Sequence, residues 1–272
     1  MNIHIKDIGL YNKFWSSTMF SMKMGSVLYK LQDEDSDTDF IAITVPSVNQ
    51  MNSFNKSIHQ LQYKDENHKV DYVFTDVYSF FWNMLNGDST INFEVVHSED
   101  FKKSEFGKMF SEITPGLRTY SIIVAYLGFA NRDIKHFWKE KTDREKIKKL
   151  IHIERGFSFA KKIFYDYENF SLIDENLIKR KETLSAITDN NLNDVCKSYL
   201  ESFSSEIKNF RQEVVNKSLE KKELTRFLEI EKQKKLDEIL LHLSNTPLFL
   251  NKQQKYMDLE PYYLVNENEL TY

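Results

Sequence analysis

Residues 33–39 hold five carboxylates in seven positions: Asp33, Glu34, Asp35, Asp37 and Asp39. A Gly25-Ser26 pair precedes them and the apolar run Phe40-Ile41-Ala42-Ile43 follows. Like charges this close repel, so the stretch is a solvated loop or it exists to hold a cation. A calcium loop that begins at Asp33 would need Gly at its sixth position and Glu at its twelfth. The chain has Thr38 and Thr44 there, which excludes that loop. Beside the solvated loop, the reading that remains is a divalent metal held against phosphate. In an extended strand Asp37 and Asp39 share one face about 7 Å apart. That spacing suits a pair of Mg²⁺ ions roughly 3.5–4 Å apart, with Mn²⁺ as a substitute. Gly25 permits close backbone approach, and the N–H and hydroxyl of Ser26 can hold phosphate oxygens.

These residues must be positioned by short strands. "TMFSMKM" (18–24) alternates apolar and polar side chains and runs into a turn at Gly25, "DFIAITV" (39–45) stops at Pro46, and "KVDYVFT" (69–75) alternates again. Asp76 stands at a helix N-cap ahead of "VYSFFWNMLNG", with Gly87 as the stop. After Pro115-Gly116 the apolar residues recur at helical spacing, first over 117–139 and 143–167. A third helix is predicted over about 175–188. A long one starts near Asn191, and its later part carries a Leu stripe from Leu224 to Leu243. The fold class is α+β: a small mixed sheet with flanking helices over residues 1–112, then a helical domain over 113–272.

Seven Gly and four Pro in 272 residues favour helix over a turn-rich β architecture. A net charge of −4 means that any nucleic-acid contact must come from a local patch. Cys196 is the sole cysteine, so an intramolecular disulfide and a cysteine-based zinc site are excluded, and no disulfide-linked partner is expected. Without a long apolar run or a basic-then-apolar leader, the expectation is a cytoplasmic protein with no membrane partner. The local patch is there: residues 132–162 carry eleven Lys or Arg against five Asp or Glu, a net +6. Within it Lys149, His152 and Arg155 recur every third residue. That face either binds a triphosphate or RNA backbone, or is a solvated basic face with His152 satisfied in the core. Cys196, the "FFW" at 80–82 and the "YY" at 262–263 read as packing residues.

The order Gly25-Ser26, ten residues, Asp37-Thr38-Asp39-Phe40 resembles the nucleotidyltransferase superfamily with the DNA polymerase β-like fold. "GSVLYKLQDEDSDTDF" is similar to the Gly-Ser-x-x-Tyr-Gly…Ser-Asp-x-Asp-Phe signature of its RNA-repair-associated polymerase family, found in bacteria and phages. Tyr29, Ser36, Asp37, Asp39 and Phe40 fall in place, whereas Lys30 stands where that family usually has Gly. "VDYVFTDVYSFFWNMLNGDSTINFEVV", "GFANRDIK" and "KLIHIERGF" resemble later segments in the right order.

The resemblance implies Mg²⁺-dependent transfer of a nucleoside monophosphate from an NTP, with ATP expected, to an acceptor hydroxyl. The expected acceptor is an RNA end such as a damaged tRNA, in the cytoplasm of a bacterial or phage-infected cell. Asp37, Asp39 and Asp71 are the expected catalytic and metal residues. Asp71, in the alternating strand, is the candidate for the third carboxylate; otherwise it is a polar residue on an exposed strand face. Gly25, Ser26, Lys30, Lys149, His152 and Arg155 are the expected nucleotide-binding residues, and Glu94 supports the site by hydrogen bonds. Two rival readings are nucleotidyl transfer to a protein side chain and a catalytically silent binding protein of the same fold.

Overall fold

The computed structural model describes residues 2–5, 15, 17–33, 36–45, 60–65, 69–111, 120–187, 191–219, 270–271 and scattered positions between 234 and 246. Strands β1 (Asn2–Ile5), β2 (Thr18–Met24), β3 (Thr38–Thr44), β4 (Gln60–Asp65), β5 (Val70–Asp76) and β6 (Leu270–Thr271) form one sheet in the order β2-β3-β5-β4-β1-β6. The sheet is mixed: β3 lies antiparallel to β2 and parallel to β5, and β4 lies antiparallel to β5. In β2 the alternation seen in sequence becomes geometry, with Met22 and Met24 buried and Ser21 and Lys23 exposed. The second half of β3 differs. Ile41, Ala42, Ile43 and Thr44 are all buried, because a strand covered on both faces needs no polar side.

Helices follow in the order α1 (Val77–Asn86), α2 (Thr90–His97), α3 (Glu99–Lys103), α4 (Glu105–Met109), α5 (Tyr120–His136), α6 (Asp143–Tyr165), α7 (Glu175–Ser185) and α8 (Leu192–Leu219). Asp76 caps α1 by accepting from the Ser79 N–H at 2.9 Å. Gly87 ends it at φ 76°. A Cβ there would lie 2.5 Å from the Ser121 carbonyl oxygen, so the stop is also a point of close packing. Helix α6 opens on a capping box in which Thr142 and Glu145 satisfy each other's backbone N–H.

Phe80 and Phe81 of α1, Phe93 of α2, Tyr126 of α5, Phe159 of α6 and Phe210 of α8 join Ile41 and Ile43 of β3 in one apolar cluster. Buried side chains on both sides of residue 112 therefore share a core. Cys196 belongs to it, as a small apolar residue would. Among the described residues no helix is long and apolar enough to cross a membrane. The Leu stripe before Leu243 and the tyrosines at 262–263 lie outside the described residues.

Candidate active site at the edge of the sheet

The acidic stretch divides in two. Asp33 turns to the helices: it forms an ion pair with Lys181 of α7 and a second, at 3.5 Å, with Arg144 of α6. Lys181 also donates to the Leu31 carbonyl at 2.7 Å. The hydrogen bond from Lys181 holds the Asp33 carboxyl below the usual carboxylate range. Asp39 lies in β3, and the exposed Asp37 precedes the strand, near enough for its charge to act on Asp39. Asp39 pairs in register with Asp71 on the neighbouring parallel strand β5 and with Met24 on β2. Adjacent partners on parallel strands put their side chains on one face, so β3 and β5 force two carboxylates together.

The electrostatics follow from that register. Burial pushes the Asp39 carboxyl up, and the charges of Asp71 and Asp37 push it further, while Lys148 of α6 and Lys64 of β4 partly offset them. Oδ1 of Asp71 is buried with no hydrogen-bond partner among the described residues. Two aspartates that repel each other and one orphaned oxygen are donors short of a cation. This donor set fits hard divalent ions, which take carboxylate oxygens and keep waters and phosphate oxygens in their remaining positions. As they stand, no three His, Cys, Asp or Glu side chains among the described residues are drawn together into a closed metal cage.

Gly25 lies against this edge at φ 75°. A Cβ at Gly25 would come within 2.9 Å of Asp39 Oδ2, so glycine is required by the backbone and by the carboxylate alike. Residues Gly25–Tyr29 form a 3-10 turn, where the sequence predicts a simple turn. Lys30 closes it at φ 57°, a left-handed conformation that glycine would adopt without strain. Behind the turn is a recess whose polar wall is Ser26, Asp33, Ser36, Lys148, His152 and Lys181.

Of the nucleotide-binding residues expected from sequence, the structure brings Gly25, Ser26 and His152 to this region and not the other three. Lys30 is exposed and does not line the recess. Lys149 is held in an ion pair by Glu140. Arg155 is buried, with its NH1 nitrogen 3.6 Å from Oε1 of Glu94 and its guanidinium 3.8 Å above the Tyr29 ring. For Lys149 the cause is the rotational phase of α6. Residues 148, 152 and 155 lie at spacings of four and three, which follow a helix face, whereas Lys149 is turned about 100° away from Lys148. His152 is no phosphate-binding cation either. Burial, with the Arg155, Lys148 and Lys149 charges, pushes it down to about 3, so it is neutral near pH 7.

Sequence reasoning missed Lys148 and Lys181. The four-residue step to His152 could have revealed the first. The second is brought in from a helix with no local signal linking it to the turn. Glu94 does what was expected of it: it accepts from Tyr29 and, at 3.0 Å, from Tyr126.

A mixed sheet thus sets paired aspartates on adjacent strands beside a glycine-serine turn. The family model that matches residues 8–163, more than half of the chain, is that of the RNA repair pathway DNA polymerase beta family, and the chain belongs to this family. The match takes in the turn, all three aspartates, Glu94 and Arg155, and ends before Lys181. No curated protein matches the chain.

Proposed function

We propose that the protein transfers a nucleoside monophosphate from an NTP, ATP in the first instance, to the terminal hydroxyl of an RNA. The observation that carries this reading is the in-register Asp39–Asp71 pair, with its orphaned oxygen, directly against Gly25. Asp37, Asp39 and Asp71 would hold Mg²⁺ or Mn²⁺. When bound, the metal supplies charge neutralisation for the phosphates and lowers the pKa of a coordinated hydroxyl.

The chain's own residues do the rest. Ser26 offers its N–H and hydroxyl to the β- and γ-phosphates, and Lys148 and Lys181 add positive charge from the recess wall. Reaching Lys181 requires a phosphate to compete with Asp33 for it, since the two are ion-paired. The acceptor oxygen attacks the α-phosphorus, the bond to the β-phosphate's bridging oxygen breaks, and pyrophosphate leaves. Asp71 takes the proton of the attacking hydroxyl. Positioning and charge compensation account for the acceleration.

The test is incubation of the protein with α-labelled NTPs, total RNA and total protein. Label on RNA supports the proposal. Label on polypeptide redirects it to a protein acceptor, and label on neither overturns it. Loss of labelling in Asp37→Ala and Asp39→Ala is the required control.

A further inference from the structure

The Gly25–Tyr29 turn is poorly equipped to hold its own shape. It begins and ends on left-handed residues, Gly25 at φ 75° and Lys30 at φ 57°. Its closing hydrogen bonds run from the Lys30 N–H to the Val27 carbonyl at 3.2 Å and from the Leu31 N–H to the Ser26 carbonyl at 2.9 Å. The Tyr29 side chain reaches from the turn into the core, where the residue is only 4% exposed.

There Tyr29 donates to Oε2 of Glu94, while Tyr126 of α5 donates to Oε1 of the same carboxylate. The Arg155 guanidinium lies 3.8 Å from the centre of the Tyr29 ring and beside Glu94. Glu94 is 1% exposed and Arg155 7% exposed. Nε and NH1 of Arg155 make no hydrogen bond among the described residues. The guanidinium is thus held by Tyr29 and by the Glu94 charge, an arrangement whose weight apolar side chains of the same size would carry as well or better. Stability alone does not call for these polar groups. What they provide is a fixed relation between elements: Tyr29 belongs to the turn that carries Ser26, and Arg155 stands two helical turns beyond Lys148 on the same face of α6.

We propose that the Tyr29–Glu94–Arg155 network is a positioning device that sets Ser26 at a fixed place relative to Lys148, so that one phosphate group can meet both. These are positioning residues and touch no substrate. The proposal rests on the nucleotidyl-transfer reading for its kinetic consequence but not for its structural one.

Two measurements test it. Tyr29→Phe keeps the ring and removes the hydroxyl. The expected result is a KM for NTP raised about tenfold, with kcat changed far less and the melting temperature close to wild type. Amide exchange at residues 26–30 should also quicken about tenfold, while exchange in α2 and α6 stays unchanged. Wild-type KM together with wild-type exchange in the turn overturns the proposal, as does a loss of activity that only tracks a loss of melting temperature. Should Tyr29→Phe not fold, exchange in the wild-type protein decides. Turn amides protected like those of α6 support the anchor, and turn amides exchanging like an open loop overturn it. If the wild-type protein transfers no nucleotide to any acceptor, the functional reading fails, and the exchange result still judges the anchor.

Discussion

Two carboxylate clusters lie close together in this molecule and are built on opposite terms. At Glu94 a buried carboxylate has two phenol donors and a guanidinium, all supplied by the protein. At Asp39 a half-buried carboxylate faces two more carboxylates, with only the partial relief of Lys148 and Lys64. In the first arrangement the carboxylate is answered within the protein, although Nε and NH1 of Arg155 make no hydrogen bond among the described residues. The second is incomplete, and its unmet charge is free energy available to a cation that arrives with a substrate. The lesson is that the number of acids says little about a site; who answers each charge separates scaffold from chemistry.

The sharpest way to break this contrast is to remove one acid from each side. Glu94→Ala should destabilise the fold by about 4 kcal/mol, because Arg155 is left buried and uncompensated; urea unfolding measures it. Asp39→Ala should instead leave the fold intact and lower nucleotide transfer about 10³-fold, read from label incorporation. Asp39→Asn should go further and raise stability at pH 7 by about 1 kcal/mol in metal-free buffer, since it removes the repulsion. The sign follows from the raised carboxyl: the folded state holds its proton more tightly than the unfolded state, so stability falls as pH rises through that window. If Asp39→Asn melts lower than wild type, the two clusters are not opposites.

A third substitution pair sharpens the phase of α6. Lys148→Ala should raise KM for NTP about 30-fold, while Lys149→Ala, which frees only Glu140, should leave it near wild type. Equal effects would return the sequence-based choice of Lys149. A fourth prediction concerns acid. Burial pushes His97 down to about 4 and His152 to about 3, so the unfolded state binds more protons below its own pKa near 6.5. Stability is complete above that value and should fall by roughly 2 kcal/mol for each histidine, roughly 4 kcal/mol together, between pH 7 and pH 5. The double variant His97→Gln, His152→Gln should flatten the profile. The smallest expected effect is at the turn: Lys30→Gly should stabilise by about 1 kcal/mol by relieving the left-handed φ, without changing kcat.

What was readable in advance was local. The alternation over 18–24 became β2 with the same bounds, and "DFIAITV" and "KVDYVFT" became β3 and β5 shifted by one residue. Asp76 and Gly87 cap α1 as their types require. The Asp-x-Asp pair and Asp71 could be named because strand alternation fixes which residues share a face. Strand β4, "QLQYKD", went unread because its alternation is brief, with Leu61 and Tyr63 the only apolar side chains among polar ones. The surroundings of Arg155 could not be read for a different reason. A guanidinium on a basic helix looks like a phosphate ligand until Glu94 and Tyr29, brought in by the tertiary fold, are seen to claim it. Lys149 and Glu140 repeat that case at the surface. Spacing along one helix cannot reveal which of two adjacent lysines faces the neighbour.

That last point gives the Arg155 guanidinium a wider meaning. Rolling α6 by one residue would exchange Lys148 for Lys149 at the recess, but it would also carry Ile147, Leu150, Ile151 and Phe159 out of the core, so the buried face fixes the rotation of the helix. Arg155, against the Tyr29 ring, ties that one setting to the turn, and the lysine that lines the recess is thereby chosen by the packing of the core.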